Sequence, residues 1–89
     1  MLVQARISID KNSRQHIVKG SPLVVVMGNL MTSVKVWRIM DKVSCLEPGQ
    51  LGTCIFQSLD HSIPDACRFK MISYETNEIV GNGLVQMIL

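Results

Sequence analysis

Aromatic side chains are scarce in this chain. One Trp, one Tyr and two Phe serve 89 residues. Trp37, Phe56, Phe69 and Tyr74 are too scattered to form a platform on which successive bases could stack. An excess of one charge sign is also missing. Nine Lys and Arg against seven Asp and Glu leave a net charge of +2, well short of the basic excess that would by itself argue for nucleic acid. No apolar run approaches the ~18 residues of a membrane span. The opening MLVQAR has neither the charged nor the apolar region of a signal peptide. The expectation is a cytoplasmic chain with no membrane association.

Paired cysteines are absent too. Cys45, Cys54 and Cys67 are odd in number and contain no C-x-x-C pair, which argues against a disulfide framework and against a zinc site. Six methionines and unpaired thiols fit a reducing compartment. Buried, inert small hydrophobes are the expected role of the cysteines. No catalytic constellation stands out. His16 and His61 fall in separate polar loops, and no Ser or Cys sits in a nucleophile motif. Gly81-Asn82-Gly83 has no following helix and no third glycine, so it is not a dinucleotide fingerprint. The expected metal, cofactor and catalytic residues are therefore none.

What is present is alternation. In LVQARISI, Val3, Ala5, Ile7 and Ile9 alternate with Gln4, Arg6 and Ser8, the period of two of a half-buried strand. LVVVM, 23–27, is a continuous apolar run, as in a strand covered on both faces. TSVKVWRIMDKV places Val34, Val36 and Met40 inward and Lys35, Trp37 and Ile39 on the other face. Trp37 and Ile39 make that second face partly apolar, so something should cover it. GTCIFQSL is a further strand. CRFKMISY sets Cys67, Phe69 and Met71 against Arg68, Lys70 and Ile72. IVGNGLVQMIL closes the chain.

Turn signals separate these runs. The polar stretch 10–16 reads as a loop, Lys19-Gly20-Ser21-Pro22 as a turn, and Gly28-Asn29 as a break. In Leu46-Glu47-Pro48-Gly49-Gln50, glycine after proline suits a type II turn, whose third position needs positive φ. HSIPDA is a loop, and Glu75-Thr76-Asn77-Glu78 a tight hairpin. Six short antiparallel strands in one domain, residues 1–89, favour an all-β, small six-stranded closed barrel, because closure removes exposed edges. The expected core is Val3, Ala5, Ile7, Val24, Val26, Val34, Val36, Ile55, Phe69, Met71 and Val85. Gly81 and Gly83 should mark a sharp bend or a close backbone approach in the last strand.

Two basic groups are visible. Lys11, Arg14, His16 and Lys19 share one loop region. Arg68 and Lys70 share a strand face, since residues two apart point the same way.

The order of short motifs resembles the third domain of the elongation-factor-Tu-like translational GTPases. Pro48-Gly49-Gln50, Ile63-Pro64, Arg68-Phe69 and Val80-Gly81-Asn82-Gly83-Leu84-Val85 follow the order of that family's turn, loop, strand opening and "VGAGVV" ending. VQARISI resembles its first strand, and Ile17-Val18-Lys19-Gly20 the element before its second. The likeness spans nearly the whole chain and implies a six-stranded antiparallel barrel. In such proteins the GTP-binding domain does the chemistry, with GTP and magnesium, and the two barrels hold the cargo. The resemblance thus implies a chain that is not itself an enzyme and holds no cofactor. Its implied partners are the G domain and second barrel of a parent protein, and a protein partner or the ribosome.

In tRNA-carrying members the hairpin before the glycine strand, typically "REGGRT", touches the T stem. Here Tyr74, Glu75, Thr76, Asn77, Glu78 and Ile79 fill that place. Its glycines are gone, and Glu78 stands at the arginine position. Acidic residues repel phosphates, so RNA contact should be weak. The resemblance therefore points to a divergent member near the release-factor, ribosome-rescue or RNA-surveillance group. The alternatives are a tRNA-contacting barrel of an elongation factor and a free-standing nucleic-acid-binding barrel. The expected docking residues are Trp37, Arg68, Lys70, Tyr74, Glu75, Thr76, Asn77 and Glu78.

Overall fold

The computed structural model describes residues 1–59, 63–64 and 66–89. Alternating apolar residues select alternating faces, a rule that β1 (Leu2–Ile9) and β7 (Arg68–Ser73) follow throughout; the other long strands are β3 (Pro22–Met27), β4 (Leu30–Ile39), β6 (Leu51–Ser58) and β8 (Ile79–Ile88). All six close into an antiparallel barrel in the order β1-β6-β4-β3-β7-β8, with β8 returning to β1. There is no helix among the described residues. The all-β six-stranded closed barrel is the fold of this chain.

Residues 10–16 form the expected loop, and two further short strands, β2 (Ile17–Val18) and β5 (Cys45–Leu46), follow it and precede the 47–50 turn, so that Leu46, expected in the turn, belongs to a strand. β2 and β5 pair as a separate antiparallel ribbon. Ile17 and Leu46 are buried in the barrel core, which is why so short a ribbon persists. It sits at the end where β1 finishes, for the Gly49 amide donates to the Ile9 carbonyl at 3.0 Å. The Glu47–Gln50 turn has the expected geometry. Gly49 takes φ 86, and the Gln50 amide donates to the Glu47 carbonyl at 3.0 Å. Near the start of β1, Ile63 joins the core, its amide pointing at the Met1 sulfur. The rest of the expected 61–66 loop, His61 included, lies largely outside the described residues.

Val3, Ala5, Ile7, Val34, Val36, Phe69, Met71 and Val85 are inward, as alternation predicts. Three other expectations need correction. Val24 and Val26 are half-buried on the outer face, while Leu23, Val25 and Met27 enter the core. A continuous apolar run carries no phase of its own. Pairing with β7, which sets Val25 against Met71, supplies it. Ile55 is buried but outside the core cluster, because its neighbours Cys54 and Phe56 both point inward. In β4 a bulge falls between Val36, opposite Phe56, and Arg38, opposite Ile55. Trp37 is the extra residue. The bulge reverses the alternation beyond it, so Ile39 packs on the core and Met40 is exposed.

The glycines of β8 answer to close approach. Gly81 and Gly83 face β1 and β7, opposite Ile9 and Ile7 on one side and Met71 and Phe69 on the other. A Cβ on Gly81 would collide with the Ser8 carbonyl. One on Gly83 would lie 2.8 Å from the Arg6 carbonyl oxygen. Neither glycine has positive φ. Absent side chains, not unusual dihedrals, let β8 bend across the barrel.

Candidate functional site

Strand β7 carries Arg68 and Lys70, and the hairpin that follows it carries Tyr74, Glu75, Thr76, Asn77 and Glu78 of the expected docking residues. The outward side chains of β7 are Arg68, Lys70 and Ile72, and Tyr74 continues the row. Six residues of strand separate Arg68 from Tyr74 by about 20 Å, so one ridge carries a basic end and an aromatic end.

At the aromatic end, Tyr74 is 63% exposed. With Pro22, Ser33, Val34, Lys35 and Leu59 it lines a shallow depression of about 390 Å³. The hairpin beside it is organised by Ser73, which is buried. The Ser73 amide donates to the Glu78 carbonyl at 2.8 Å, and its carbonyl accepts from the Asn77 amide at 3.0 Å. Its Oγ accepts from the Thr76 amide at 3.3 Å. Asn77 adopts φ 63, a conformation asparagine tolerates better than most residues. Glu75 and Glu78 remain exposed. Trp37 lies two strands away, on β4, just past Lys35. The chain at 20–21 runs beside it, pairing with Val36 through Gly20 and Ser21, yet leaves Trp37 45% exposed.

At the basic end the structure adds a residue that sequence reasoning missed. Arg6 of β1 pairs with Leu84, and Leu84 pairs with Arg68. Ser8, Asn82 and Lys70 form the next row. Three shallow depressions, of about 510, 580 and 180 Å³, share Asn82. Arg6, Lys11, Arg68 and Lys70 line them, against a single acid among the described residues, Asp10. The sequence signal for Arg6 was its outward phase in β1. Its neighbours became known only when β8 closed on β1.

The thiols divide by burial. Cys54 is fully buried, and burial, reinforced by nearby Asp41, pushes its pKa up to about 12. It stays a neutral thiol at physiological pH and is no nucleophile. Cys45 is half-buried on the ribbon. Its Sγ lies 3.7 Å from His16 Nδ1, and the same nitrogen is 3.9 Å from Glu47 Oε1. His16 lies exposed in its loop, as its sequence surroundings imply, and the ribbon brings Cys45 and Glu47 beside it.

No protein-family model matches the sequence, and no relative is found among curated proteins.

Proposed function

We propose that this chain is a non-catalytic docking barrel, the C-terminal barrel of a translation-factor-type GTP-binding protein that serves termination, ribosome rescue or RNA surveillance. The observation that carries the reading is the Tyr74 depression. An exposed tyrosine over Leu59 and Pro22, beside the amphipathic stem of Lys35, is the kind of anchor in which binding energy concentrates. Glu75 and Glu78 flank it, which suits a protein partner and disfavours phosphate. Trp37 extends the same side of the barrel. The G domain and second barrel of the parent protein are the other expected neighbours, and GTP and magnesium would belong to that G domain.

A second reading has its own observation. Arg6, Arg68, Lys70 and Lys11 converge around Asn82, and such a stripe could follow an RNA backbone. Titration of a labelled tRNA or ribosomal RNA fragment across a salt series separates the two. The docking reading expects binding weaker than about 1 µM at physiological salt. Submicromolar, steeply salt-dependent binding that Arg68→Glu abolishes would overturn it in favour of RNA.

A further inference from the structure

We propose that His16, Cys45 and Glu47 form a surface site for a zinc-type divalent cation. The two-stranded ribbon brings them together. Ile17 pairs with Leu46 and Val18 with Cys45. Extending that register by one residue sets His16 opposite Glu47. Ile17 and Leu46 point into the core, so residues one step away on each strand share the outer face. His16, Cys45 and Glu47 all lie on it.

The spacing suits a metal. Sγ to Nδ1 is 3.7 Å, Nδ1 to Oε1 is 3.9 Å, and the three ligand atoms lie within 4.8 Å of one another. Tetrahedral zinc, with bonds of about 2.3 Å to sulfur and about 2.0–2.2 Å to nitrogen and oxygen, sets its ligand atoms roughly 3.4–3.6 Å apart. Small side-chain rotations close the difference, with water in the fourth position.

The donor set selects the ion. A thiolate and an imidazole disfavour calcium and magnesium, which prefer oxygen alone, and one carboxylate completes a borderline-soft set suited to zinc. The backbone beneath is held. The Glu47 amide donates to Gln50 Oε1 at 2.9 Å, and the Val18 amide to Ser21 Oγ at 3.0 Å. Buried Ile17 and Leu46 fix both strands from below. A sequence separation of 29 between His16 and Cys45 hides the set from any short-spacing rule. The proposal does not rest on the docking reading.

Titrating the metal-free protein with cobalt chloride, then zinc chloride, tests it. One cobalt per chain is expected, with a thiolate-to-cobalt charge-transfer absorption that zinc displaces. Cys45→Ser should abolish that absorption, and Cys67→Ser should leave it. His16→Ala and Cys45→Ser should each weaken zinc binding, followed by calorimetry, by at least about tenfold. His16 is mostly exposed and Cys45 half-buried, so the variants should melt with the metal-free wild type. Zinc should raise the melting temperature of the wild type and not of Cys45→Ser. Absence of one-to-one binding at millimolar metal, or binding undiminished by Cys45→Ser, would overturn the proposal.

Discussion

The ring of Phe69 fills the space that any side chain on Gly83 would need. The two residues are cross-strand partners, and a Cβ at Gly83 would come within 2.9 Å of Phe69 Cε1. Phe69 in turn meets Phe56 edge to face, with ring centroids 6.1 Å apart. The glycine is the condition for the aromatic pair. Gly83→Val should therefore destabilise the barrel by at least about 1 kcal/mol through overpacking, despite valine's higher strand propensity. Urea denaturation reads this directly, and an unchanged or higher midpoint would refute the packing account.

Phe69→Ala should cost about 3–5 kcal/mol, a large share of a small domain's stability. The same contact implies coupling. Gly83→Ala should cost less when Phe69 is already alanine, because the ring it meets is gone. A double-mutant cycle measures that difference, and strict additivity would argue that the Arg6 carbonyl alone sets the penalty.

Cys54 links stability to alkaline pH. Burial first, and Asp41 second, raise its folded-state pKa from 9.0 to about 12. The unfolded thiol ionises first, so the unfolded chain binds fewer protons between those values. This contribution is intact below pH 9 and is lost as pH rises toward 12. Cys54→Ala should flatten the alkaline limb of a stability–pH curve, whatever its cost at neutral pH. An unchanged slope would show that other groups set that limb.

Tyr74→Ser should leave stability within about 0.5 kcal/mol of wild type, because the side chain is largely solvated. Arg68→Glu should do the same. A loss of more than about 2 kcal/mol at Tyr74 would make it a structural residue and remove the anchor from the docking surface.

Much of the barrel was legible because strands and turns obey local sterics. Period-two alternation in LVQARISI and in CRFKMISY put Val3, Ala5, Ile7, Phe69 and Met71 inward without reference to any neighbour. Glu47-Pro48-Gly49-Gln50 announced its turn because only glycine takes that positive φ cheaply. The glycines of the last strand announced a close approach, although not what approached. Other features depend on partners distant in the chain. LVVVM has no alternation, so β7 decides which valines face the core. The bulge at Trp37 is a mismatch between β4 and β6, and it exchanges Ile39 with Met40. Arg6 and Arg68 flank Leu84 only because β8 closes on β1. His16 meets Cys45 and Glu47 only because Ile17 and Leu46 need the same core. Local dihedral preferences are written in a few adjacent residues. Register and closure are set by burying the apolar faces of all the strands together, and no single segment contains that information.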